Sequence, residues 1–105
     1  MEVGWLSPSG EIVSCEGYAH VDKARKICMD LHILKEGETP DETLINNGWI
    51  RISRVTYGDT GLMIWMAPHR LSLYQAEFLT QFASDHLNEF NSITRTMLKE
   101  HGLIW

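Results

Sequence analysis

Hydrophobic and polar positions change period several times along this chain, and each change marks an element. Val3 to Leu6 and Glu11 to Cys15 are short β-prone runs around Ser7-Pro8-Ser9-Gly10. Proline presets φ for the second turn position and glycine tolerates the left-handed residue that closes such a loop, so the stretch predicts a hairpin. From Gly17 to Leu34 the period lengthens: Val21, Ala24, Cys28, Leu31 and Leu34 recur every three or four residues, with Asp22, Lys23, Arg25, Lys26 and Asp30 between them. That is an amphipathic helix, and Gly37 stops it. Thr39-Pro40-Asp41-Glu42 then opens a second helix with a threonine cap, proline at the first helical position and acids in the first turn. Asn47-Gly48 is its left-handed exit, which makes it short.

Alternation returns at Trp49 to Val55 and Leu62 to Ala67, two strands around the YGDTG turn at 57–61. Ile50 and Ile52 fall on one face, with Trp49, Arg51 and Ser53 on the other. Leu62, Ile64 and Met66 likewise alternate with Met63 and Trp65. One face reads as core, and the other carries Trp, Arg and Met. Pro68 ends this second hairpin. Ser72 with Gln75 three residues later forms a capping box before the apolar stripe Ala76, Leu79, Phe82, Ala83 and Leu87. A last helix from about Ser92 to His101 turns Ile93, Met97 and Leu98 inward, with Gly102 past its end. The predicted order is ββ-α-α-ββ-α-α: an α+β fold in which two hairpins form one antiparallel sheet packed on about four helices. Gly4-Trp5-Leu6 and Gly48-Trp49-Ile50 each open a hairpin, but two short matches do not establish a duplication.

The chain has 105 residues, enough for one core and too few for two, so residues 1–105 form a single domain. No apolar run approaches the roughly 20 residues that cross a bilayer, and the Met-Glu-Val-Gly start lacks the pattern of a signal peptide. The expectation is a cytoplasmic protein with no membrane partner. Cys15 and Cys28 are the two cysteines, and in a reducing compartment they stay free thiols. Nine Lys and Arg against fourteen Asp and Glu give a formal charge of −5. That sign opposes unspecific binding to nucleic acid and favours basic partner surfaces.

Cys15, His20, Cys28 and His32 supply the ligand types of a zinc site. On one helix, however, His20 and Cys28 stand about 12 Å apart along the axis, too far for all four to share an ion. Cys28 and His32, at i and i+4, remain an alternative metal pair, although Cys28 on the apolar stripe reads as a small hydrophobe. Cys15 and His20 are the nominal nucleophile and base, yet the neighbouring anions Glu11 and Glu16 raise a thiol pKa. No phosphate loop, metalloprotease motif or dinucleotide fingerprint is present. The chain therefore reads as a non-enzyme without a cofactor.

The stretch LINNGWIRISR, residues 44–54, raises a different possibility. A sheet face bearing Trp49, Arg51, Arg54, Tyr57 and Trp65 suits base stacking and phosphate pairing. The net charge and the absence of an RRM aromatic motif favour instead burial beneath a helix, with arginines lying along tryptophan rings; a protein interface, where Trp, Tyr, Arg and Met are enriched, is a third reading. The acids Glu36, Glu38, Asp41 and Glu42 group in sequence and would suit docking on an arginine-lined channel.

The layout Gly-Trp-Leu-Ser-Pro-Ser-Gly, then Cys15, His20 and Ala24, then Gly-Trp-Ile-Arg-Ile-Ser-Arg, a strand ending near Trp65, and Leu-Ser-Leu-Tyr-Gln before a helix resembles small uncharacterised proteins of bacteriophages and mobile elements in gut Firmicutes. The likeness runs from Gly4 to Leu79 through short motifs. It implies context and no catalytic residues: small acidic phage proteins often bind and block a host protein, with anti-CRISPR inhibitors as one class. The leading expectation is a non-enzymatic protein-binding accessory protein, a phage-encoded inhibitor of a host defence nuclease in the host cytosol. Its partner-binding residues would be Trp49, Arg51, Arg54, Trp65, Glu36, Glu38, Asp41 and Glu42. The alternative is a regulatory module that binds single-stranded nucleic acid through the Arg/Trp strand.

Overall fold

A computed structural model describes residues 2–55, 61–67 and 71–105. Strands β1 (Glu2–Leu6) and β2 (Ile12–Ser14) form the first hairpin, followed by helices α1 (His20–Leu31) and α2 (Pro40–Asn46). Strands β3 (Ile50–Val55) and β4 (Gly61–Trp65) come next, then α3 (Leu73–His86), a 3₁₀ turn at Leu87–Glu89, and α4 (Ser92–Glu100). The expected order of elements is the order observed. All four strands join one antiparallel sheet in the order β2-β1-β3-β4, with β1 pairing both β2 and β3.

Strand alternation sends neighbouring residues to opposite faces, and here both faces carry core. Leu6, Ile50, Ile52, Leu62 and Ile64 pack on Leu79 and Ala83 of α3, on Phe90 and on Leu98 of α4. Trp5, Cys15 and Trp49 pack on Ala24, Ile27 and Cys28 of α1 and Leu44 of α2. Helices thus cover the sheet on each side. The expected division into one core face and one Trp, Arg and Met face is corrected accordingly: α1 and α2 close over much of the second face. Tyr57 and Pro68, expected on the sheet face and at the end of the second hairpin, lie outside the described residues.

Local chemistry positions these layers. Thr39 caps α2 and Ser72 caps α3, each in a reciprocal capping box, with Glu42 and Gln75 closing back on the cap. Gln75 is 2% exposed and also donates its side-chain amide to Gly48 O at 2.7 Å, while Ser72 Oγ donates to Pro8 O at 2.6 Å. The start of α3 is therefore tied to the turn between β1 and β2 and to the turn that leads into β3. Gly10 is required here, because it takes φ +87° and a Cβ would stand 2.9 Å from Tyr74 Cβ.

The helical stripes differ from expectation at their ends. In α1 the buried set is Ala24, Ile27 and Cys28, while Val21, Leu31 and Leu34 are exposed. Val21 and Leu31 lie near the two ends of the helix, and His32 at φ 56° ends it in the left-handed region before Leu34 continues the period. In α4 Thr94 and Leu98 are buried and Met97 packs against the core as expected, whereas Ile93 is exposed. Leu87 falls in the 3₁₀ turn beyond α3 and is also exposed.

Candidate functional site

One row of side chains crosses the whole sheet on the α1/α2 face: the register aligns Val13 with Trp5, Trp5 with Arg51, and Arg51 with Trp65. Two helix starts meet this row. His20 is the first residue of α1 and Asp41 the second of α2, and Trp5 Nε1 donates to His20 O at 3.1 Å. His20 Nε2 lies 3.0 Å from Asp41 Oδ2, and Arg51 Nη1 lies 3.4 Å from the same oxygen. The guanidinium carbon of Arg51 sits 3.8 Å from the centroid of Trp65. Asp41 is placed where an anion is favoured, in the first turn of a helix.

This cluster is sheltered and partly unsatisfied. The side chains of Asp41 and Arg51 are 21% and 17% exposed, and Asp41 Oδ1 and Arg51 Nε are buried without a hydrogen-bond partner. Next to it, Cys28 is fully buried and its Sγ–H donates to Pro40 O at 3.6 Å. Burial, and secondarily the charge of Asp41, push the Cys28 thiol above its ordinary pKa. A protonated thiol is a poor nucleophile. Cys15 is 2% exposed in the same core cluster, so neither sulfur faces a substrate. Asp41 does fix an imidazole, as a general-base pair requires, but the same carboxylate oxygen also meets the Arg51 guanidinium, so it ties α1 and α2 to β3.

The remaining expected residues separate into three environments. Trp49 is 9% exposed and belongs to the core under α1, so its ring is no open platform. Arg54 Nη2 donates to Glu89 Oε1 at 2.7 Å, and Glu89 also accepts from or pairs with His86 Nδ1. The expected joint face of Trp49, Arg51, Arg54 and Trp65 is corrected: Arg51 aligns with Trp65 and Arg54 with Leu62, so alternation puts the two arginines on opposite faces of the sheet, each with an intramolecular carboxylate. The acids divide differently: Asp41 turns inward, whereas Glu38 accepts from Thr43 Oγ1 and Asn46 Nδ2, Glu42 accepts from Thr39 N, and Glu36 is exposed. Glu36, Glu38 and Glu42 remain near the surface around the start of α2.

Cys28 and His32 do not converge as ligands: one is buried, and the other is the exposed left-handed cap of α1. Among the described residues no group of three or more His, Cys, Asp and Glu side chains is arranged to hold an ion. Sequence reasoning missed the His20–Asp41 pair and the Arg54–Glu89–His86 group. Each joins residues far apart in the chain, and only the path of the helices over the sheet brings them together.

Compared with known proteins, the chain matches no family model, no curated protein and no solved structure. These comparisons lend no support to the expected likeness to phage proteins. Among the described residues no helix is long and apolar enough to cross a membrane.

Proposed function

We propose that this protein acts by binding another protein, with no chemistry of its own, and that the partner is a nucleic-acid-processing enzyme with a basic surface. The observation that carries this reading is the distribution of exposed apolar side chains. Among the described residues eleven large hydrophobics are exposed, and five of them, Tyr18, Val21, Met29, Leu31 and Leu34, fall within one short stretch around α1. Val21, Arg25 and Met29 follow one another at four-residue spacing, so they form one outward line on α1. An apolar concentration of this kind, rimmed by polar groups, is characteristic of interaction surfaces. The nearby acids Glu36, Glu38 and Glu42, with the net charge of −5, select a basic partner.

In its most specific form the reading is an inhibitor, phage-encoded and of anti-CRISPR type, that occupies the nucleic-acid channel of a host defence nuclease. Titration of such nucleases with the purified protein should give inhibition that ends near one equivalent. Val21→Asp with Met29→Asp should abolish it while leaving the melting temperature unchanged within about 3 °C, because both side chains are exposed. Absence of inhibition, with no protein retained on the immobilised chain, would overturn the reading.

A further inference from the structure

The two edges of the sheet are unlike each other. At the β4 edge Asn91 N–H donates to Leu62 O at 3.3 Å beside a parallel bridge between Leu62 and Phe90. That edge is already engaged. At the β2 edge, Ser7 N–H donates to Glu11 O and Cys15 N–H to Val3 O, so the odd-numbered residues of the hairpin turn their backbone groups toward β1. By alternation the backbone groups of Ile12 and Ser14 point outward, and no described residue pairs with them. Immediately beside this edge, between the first hairpin and the end of α1, runs a groove of about 350 Å³ with Val13, Ile27 and Trp49 as its floor and Glu11, Asp30 and Leu31 at its rim.

We propose that β2 and this groove receive an extended segment of a partner protein as a fifth strand, with an arginine or lysine of that segment entering the groove. Ile12 and Ser14 supply the main-chain hydrogen bonds, and the groove selects the side chain, which is how strand addition divides affinity from specificity. The aliphatic stem lies against Val13 and Ile27, and the cation meets Trp49 and the carboxylates of Glu11 and Asp30. Lys26 holds Asp30 at 3.1 Å, but both side chains are more than half exposed, so an incoming cation displaces a weak pair. A second copy of this chain fits less well. Antiparallel pairing of β2 with itself about Val13 sets Val13 of one copy opposite Val13 of the other, so no cation enters the groove. The acids beside this short edge favour a basic chain.

The proposal rests on the protein-binding reading and is tested separately from it. The probe is a blocked pentapeptide of alternating threonine and valine with a central arginine, titrated into the isotope-labelled full chain and followed by NMR. Its citrulline counterpart keeps the shape and removes the charge. Expected are progressive shifts of the Ile12 and Ser14 amides and of the Trp49 indole N–H, with the citrulline peptide and Glu11→Gln each weakening binding about two- to fivefold. Shifts elsewhere, equal response to both peptides, no response, or a dimer formed through β2 would each overturn it. If Glu11→Lys leaves partner capture intact, the groove is wrong and the protein-binding reading survives.

Discussion

Asp41 shows how one side chain decides between a surface role and an internal one. In sequence it belongs with Glu36, Glu38 and Glu42, but its carboxylate is bound by His20 and Arg51. Asp41→Asn keeps the shape and removes the charge, leaving the sheltered Arg51 guanidinium without its ion partner. Urea unfolding should record a loss of about 1–3 kcal/mol, and an unchanged midpoint would show the cluster to be ornamental to stability. Cys28 supplies a second residue-scale expectation. Its thiol is fully buried and held protonated by that burial, so iodoacetamide at neutral pH should leave it unmodified in the native chain and label it once urea is added. Rapid native labelling would contradict the packing of α1 on the sheet.

At the scale of elements, the link between β3 and the end of α3 depends on Glu89. Hydrogen bonds from His86, and then Arg54, hold its carboxyl below the usual carboxylate range. A carboxylate with a lowered folded pKa adds stability above its unfolded pKa and loses it as pH falls through the folded value. The urea midpoint of the natural chain should therefore exceed that of Glu89→Gln near pH 7, and the two should converge in acid. A difference that persists or grows at low pH would contradict the sign. The start of α3 makes a parallel case: Gln75 closes the capping box and also donates to Gly48 O. Gln75→Ala should cost about 1–3 kcal/mol, because the half-buried Gly48 carbonyl loses its donor together with the cap.

For the whole molecule, the sequence reveals element order and hides what lies over what. The caps at Thr39 and Ser72, the exits at Asn47-Gly48 and Gly102, and the alternation through β3 and β4 are local signals, and they are legible as such. The second core is not local. Trp5 and Trp49 stand far apart in sequence and lie under the same two helices, so the period of β3 marks which face they share without saying what covers it. Trp49 and Arg51 consequently serve the interior, and part of the exposed apolar surface lies on α1, where Val21 and Leu31 read as core because their spacing is that of buried positions. The most direct measurement is quantitative affinity capture from bacterial lysate, with the natural chain and the Val21→Asp/Met29→Asp variant as paired baits. Binding through α1 predicts a nucleic-acid-processing enzyme retained near one equivalent by the first and lost from the second; equal retention by both, or none by either, would contradict it.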